Sequence, residues 1–139
     1  MTTKEHVKQV LQKWDMPIVE ETDNGVVIRY QMNYIQLYST DTGECNSLAV
    51  SLASSVSTDS YEDLLLALRV CNELNNSIFL IKLYLDEDAD LVVSSEFYFD
   101  STDQLDMMLK KLLPSSVMAK KMFTQRNKEY RQASKSAQA

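Results

Sequence analysis

The stretch SIFLIKLYLDEDADLVVSSEFYFD, residues 77–100, decides the fold. Two apolar runs flank four carboxylates placed within five positions: Asp86, Glu87, Asp88 and Asp90. Acidic residues at alternate positions open like a helix–loop–helix calcium loop. That loop also needs a glycine at its sixth position and a bidentate glutamate at its twelfth. Counted from Asp86, those places hold Leu91 and Phe97, so the metal reading fails. The flanks alternate with the two-residue period of strands. Phe79, Ile81, Leu83 and Leu85 would face a core, with Lys82 and Tyr84 on the other side. Glu96 and Tyr98 oppose Phe97 and Phe99 in the same way. The stretch reads as a β-hairpin with a solvated, polar tip.

Working outward, the segment before the hairpin is helical. Asp59 and Glu62 can cap its start, and Tyr61, Leu64, Leu65, Leu68, Cys71 and Leu74 follow the helical period. Leu66, Ala67 and Val70 widen that stripe, which predicts the most buried helix of the protein. After the hairpin, Ser101 with Gln104 forms a capping box ahead of Leu105, Met108, Leu109, Leu112 and Leu113. Pro114 predicts a break or kink, with a further helix from about Ser116 carrying Val117, Met118, Met122 and Phe123. At the N-terminus, Val7, Val10, Leu11 and Trp14 mark a first helix that Pro17 ends. PIVEET and VVIRYQ flank Asn24-Gly25, a two-residue hairpin turn whose positions call for positive φ, with Glu20 opposite Arg29. YIQLYS, a turn at DTGE and CNSLAVSLAS complete a meander.

The expectation is an α+β domain: an antiparallel sheet of about five or six strands with helices on one face. Its order is α-β-β-β-α-β-β-α, with one possible extra short strand near residues 17–22. Residues 1–130 are expected to form a single domain and 131–139 a disordered tail.

Charge divides unevenly along the chain. Residues 1–106 hold 6 Lys and Arg against 19 Asp and Glu, whereas residues 107–139 hold 8 against Glu129 alone. An acidic body repels phosphate backbones, so nucleic acid is disfavoured and could engage only the C-terminal helix. The two cysteines, Cys45 and Cys71, are far apart and suit a reducing compartment. The amphipathic N-terminus lacks the apolar core of a signal peptide, and no apolar run reaches the roughly 20 residues of a membrane span. A cytoplasmic location without membrane attachment is expected.

Few residues offer chemistry. His6 is the only histidine and lies on a polar flank of the first helix, with no nucleophile motif to serve. Gly25 and Gly43 each sit in a turn, so a glycine-rich phosphate loop is excluded. Cys71 reads as a core residue. No catalytic residue, metal or cofactor is predicted. Two surfaces remain as candidates for a partner. Tyr34 and Tyr38 with Gln36, Tyr84 with Lys82, and Tyr98 with Glu96 would share a helix-free sheet face. Met118, Met122 and Phe123 mark the C-terminal basic helix, where methionines suit adaptable contacts.

The segment VCNELNNSIFLIKLYLDEDADLVVSSEFYFD also carries a family likeness. It resembles the YbjN-like bacterial family of sensory transduction regulators. The features that match are Asn72, Asn75 and Asn76, then Lys82, the acidic turn from Asp86 to Asp90, and Val93, Glu96 and Phe99. DNGVVIRYQMNYIQLY is similar to that family's first hairpin region, and the likeness covers most of residues 5–125. It implies the fold of type III secretion chaperones, often dimeric, and no enzyme activity or cofactor. The combined expectation is a non-enzymatic, chaperone- or regulator-like module that binds another protein, with a homodimer expected. The alternative is a small-ligand or enzymatic domain whose pocket is built from scattered residues.

Overall fold

The computed structural model describes residues 1–40 and 45–138. The turn predicted at DTGE lies outside the described residues. Elements run α1 (Thr3–Lys13), β1 (Ile18–Glu21), β2 (Gly25–Tyr30), β3 (Asn33–Ser39), β4 (Asn46–Ser54), α2 (Tyr61–Ser77), β5 (Lys82–Leu85), β6 (Leu91–Phe99) and α3 (Thr102–Gln138). The short strand expected near 17–22 is β1. All six strands pair antiparallel in the order β1-β2-β3-β4-β6-β5.

Alternation along β4 explains the layering. Leu48, Val50 and Leu52 enter the core, while Ser47, Ala49, Ser51 and Ala53 point to the opposite face. Val26, Ile28, Ile35, Leu37, Leu83 and Val93 extend the core side across the neighbouring strands. Helices α1 and α3 lie over that side, with Val7, Val10 and Leu11 meeting Leu105, Leu109 and Leu113 in one cluster. The helix starts use local polar groups, and the one at Ser101 is the one expected. Thr2 and Glu5 form a capping box for α1, and Ser101 Oγ accepts from the Gln104 amide at 3.1 Å.

Several local expectations change. The turn before β2 falls on Asp23 and Asn24, closed by the Thr22 amide on the Gly25 carbonyl at 2.9 Å. Glu20 therefore faces Val27 and not Arg29, and a register shift lies between Ile18 and Glu20. Gly25 is required by space, not by turn geometry. A Cβ there would lie 2.3 Å from the Leu37 carbonyl and 2.7 Å from Tyr38 Cα. The positive-φ hairpin is the next one, at Gln31 and Met32, with φ of 46° and 67°. The strand expected from Phe79 begins only at Lys82; Leu80 has φ 64° and Phe79 is 84% exposed.

Helix α2 departs most from its sequence reading. Its cap is Ser60, which accepts from the Asp63 amide, and it buries only Ala67, Val70, Cys71 and Leu74. Tyr61, Leu65 and Leu68 face solvent, so the predicted central stripe is largely an outer face. The physical reason is that α2 packs beside α3 and β5 rather than across the sheet. Helix α3 is unbroken at Pro114 and continues through residues 131–138. Ser115 and Ser116 donate to the Lys111 and Leu112 carbonyls at 2.7 Å, next to the amide that proline lacks. Leu109, Leu112, Leu113 and Val117 bury apolar area on both sides of the proline, which favours one continuous helix. The helix packs on its own sheet.

Asn75 ties α2 to an edge strand. Its amide nitrogen donates to the Leu83 carbonyl at 2.9 Å, and its Oδ1 accepts from the Leu83 amide at 2.7 Å. The carboxamide thus occupies main-chain groups that an edge strand would otherwise present. Asn75→Ala is expected to destabilise the fold by about 2 kcal/mol, because one substitution leaves two backbone groups unpaired. Gly25→Ala is expected to cost about 1–3 kcal/mol through overpacking against β3. Denaturant unfolding of each variant measures both.

Candidate functional site

The open face of the sheet gathers four of the seven residues singled out from sequence. Tyr38 pairs with Ala49, which pairs in turn with Glu96; Ser47 pairs with Tyr98. Gln36, Ser51, Ser94 and Lys82 form the next row, and Tyr84 sits opposite Val92. Small side chains along β4 therefore make a low floor. Tyr34 and Tyr38 rise on one side of it, and Tyr84, Lys82, Glu96 and Tyr98 on the other. Beside the floor, Val19, Val27, Tyr34, Gln36, Ser51 and Ala53 line a depression of about 460 Å³. Tyr98 is 72% exposed and Tyr34 61%, so the walls present aromatic area to solvent.

Charge on this face is arranged in pairs. Lys82 Nζ lies 3.3 Å from Glu96 Oε1 and 5.9 Å from the centre of the Tyr84 ring. Arg29 lies 6.0 Å from the Tyr34 ring. Partial burial, with the Glu96 and Tyr84 charges beside it, raises the Tyr38 phenol above its ordinary range.

The helical candidates do not assemble as expected. Met118 is exposed, Met122 is partly buried, and Phe123 belongs to the core. A basic helix packed on its own sheet turns Phe123 inward, so the three residues share no surface.

The remaining titratable groups serve the fold. Asp86 Oδ1 accepts from the amides of Asp88 and Asp90 at 2.9 and 3.0 Å, which spends the first acidic side chain on shaping the hairpin tip. Among the described residues, no group of His, Cys, Asp and Glu is placed to hold a metal ion. His6 is buried rather than surface-exposed. Its Nδ1 lies 2.6 Å from Thr102 Oγ1, and its ring meets Phe99 edge-on at 5.3 Å. Burial lifts the Cys71 thiol to about 11, so it is not a thiolate nucleophile.

Two carboxylates clamp helices together. Asp106, buried on α3, accepts from Lys13 Nζ at 2.8 Å and from the Trp14 indole at 3.0 Å, with Lys110 at 3.4 Å. Glu73 accepts from the Tyr130 hydroxyl and meets Arg69 at 3.2 Å and Arg126 at 3.6 Å. The Lys13 hydrogen bond holds the Asp106 carboxyl below its usual range, against a desolvation that opposes it. The Tyr130 hydrogen bond does the same for Glu73.

An antiparallel sheet with one helix-covered face and a broad open face defines the chain as an α+β domain. The chain belongs to the YbjN family, described as "Putative bacterial sensory transduction regulator", whose model matches residues 3–113. Among solved structures it is similar to YbjN from E. coli, with TM-score 0.61 and 14% identity over 94% of this chain and 92% of that one. It is also similar to the Yersinia pestis type III secretion chaperone SycH, solved in complex with a fragment of YscM2. That match has TM-score 0.54 and 15% identity over 85% of this chain and 99% of that one. A third similar chain comes from the HopA1–SchA chaperone–effector complex, with TM-score 0.55 and 18% identity over 85% and 92% of the two chains. At these identities the likeness is one of fold. No protein with a curated description matches the chain in sequence.

The two clamps carry a pH dependence. Both carboxyls bind protons less readily folded than unfolded, so the stability they confer is present above the unfolded carboxylate range near pH 4. It is lost as pH falls through their lower folded values. Thermal melts from pH 7 to pH 2 should show this acid limb. Glu73→Gln and Asp106→Asn together should lower the plateau at pH 7 and flatten the limb.

Proposed function

We propose that this protein is a non-enzymatic, cytoplasmic protein-binding module that holds a polypeptide partner on its open sheet face. The single observation carrying the reading is the tyrosine-walled floor of small residues along β4. Tyrosine supplies large contact area with little loss of rotamer freedom, and small floor residues let a partner backbone or side chain approach closely. SycH was solved with a fragment of YscM2, and another similar chain comes from the HopA1–SchA chaperone–effector complex, which supports the same use here. The carboxylates with lowered pKa are all engaged by cations or a tyrosine in ion pairs and hydrogen bonds, which favours binding over acid–base chemistry. Among the described residues, no helix is long and apolar enough to cross a membrane.

A peptide-display selection on the folded chain tests the reading. Retained peptides should be rich in apolar residues, and Tyr34→Ala with Tyr98→Ala should weaken them about tenfold or more while the melting temperature holds. Peptides that bind the double variant equally well would overturn it.

The partner surface extends to a second copy. Tyr61, Leu64, Leu65 and Leu68 form one stripe along the outer side of α2, with Tyr61 74% exposed. An isologous pairing of two such helices covers each stripe with the other, which removes apolar area from water twice. Light scattering at tens of micromolar should give twice the 15.9 kDa chain mass. Leu65→Glu with Leu68→Glu should give a monomer with unchanged circular dichroism. A monomeric wild-type chain would refute the pairing.

A further inference from the structure

The outer half of α3 and the connection from β4 to α2 enclose a cavity of about 440 Å³ on the helix side of the sheet, away from the tyrosines. Its floor is apolar, made by Val56, Leu91 and Phe123. Its rim is basic, carrying Lys128, Arg131 and Lys135 from successive turns of α3. Ser54 and Ser55 add hydroxyl groups from the facing connection.

Two features set this cavity apart. The first is Asn127, which is 8% exposed and whose buried Oδ1 has no hydrogen-bond partner. A buried carbonyl oxygen without a donor destabilises the fold, and a turn of the Asn127 side chain toward the cavity would let a bound donor offset that loss. The second is the disposition of the cations. Lys110, Arg126 and Arg131 are neutralised by Asp106, Glu73 and Asp63, and Lys120 bonds Asn33. Lys111, Lys121, Lys128 and Lys135 have no ion pair with a carboxylate among the described residues, and of these Lys128 and Lys135 line this cavity. Arg131 is held at its mouth by Asp63 Oδ2 at 3.1 Å.

We propose that this cavity binds a small phosphate monoester bearing a hydroxyl group. The phosphate sits at the rim between Lys128, Lys135 and Arg131, with the serine hydroxyls as further donors. With the Asn127 side chain turned toward the cavity, a hydroxyl on the body of the ligand donates to its Oδ1, and the carbon skeleton lies on Val56, Leu91 and Phe123. The volume falls within the roughly 300–1,000 Å³ of small-molecule sites. The acidic remainder of the chain repels long polyanions, which favours a compact ligand over a nucleic acid. This site is separate from the open sheet face and does not rest on the partner-binding reading.

Calorimetry and thermal melts with glycerol 3-phosphate and with inorganic phosphate test it, using potassium chloride at matched ionic strength and glycerol as controls. Glycerol 3-phosphate should raise the melting temperature saturably, and chloride and glycerol should not. Lys128→Gln with Lys135→Gln, both at exposed positions, should weaken binding about tenfold or more, since each removes a charge-assisted hydrogen bond. Asn127→Ala should erase the preference for glycerol 3-phosphate over inorganic phosphate. Equal responses to phosphate and chloride, or a double-glutamine variant that binds as the wild type, would overturn the site. So would a short oligonucleotide that binds and is not displaced by glycerol 3-phosphate.

Discussion

The rest of the structure depends on β4 being paired on both sides while its two faces carry opposite chemistry. Leu48, Val50 and Leu52 on one face collect the helices, and Ser47, Ala49, Ser51 and Ala53 on the other leave the sheet open. A one-residue slip would exchange the two sets and expose the core, so the register is strongly specified. With that strand set, β3 and β6 must bring Tyr38 and Glu96 to either side of Ala49, and the tyrosine walls follow. The same alternation thus builds the core and the candidate partner surface.

Charge in this protein is used in two ways. Asp106 ties α3 to Lys13 at the end of α1, and Glu73 ties α2 to Arg126 in the basic C-terminal segment of α3. Removing the cation from such a carboxylate leaves a charge with no counterpart, which is why paired groups of this sort weigh on stability when broken. Lys128 and Lys135 are not consumed in this way, and they converge with the unsatisfied Asn127. A basic run that looks uniform in sequence therefore divides only after folding into cations held by carboxylates and cations left at the edge of a cavity.

The YbjN family features acquire physical roles. Asn75 closes the edge of β5 by pairing with both main-chain groups of Leu83. Asp86 organises the acidic turn through its own carboxylate, and Glu96 meets Lys82 across two strands. They hold an edge strand, a turn and a sheet face in place.

The sequence by itself determined the hairpin around Asp86, the α+β order with its extra short strand, and the shared face of Tyr34, Tyr38, Tyr84 and Tyr98. The hairpin and the tyrosine face rest on a period of two and the helices on a period of 3.6, both local and read directly from residue spacing. Helix faces were less legible, because a helix with apolar residues around much of its girth does not say which stripe meets the sheet. Leu65 and Leu68 read as core from spacing alone, whereas Ala67, Val70, Cys71 and Leu74 fill that place because α2 packs beside α3 and β5. Gly25, Phe123, His6 and the cavity at Asn127 were likewise decided only by the tertiary structure. Their roles depend on a neighbouring backbone, ring or cation that lies far away along the chain.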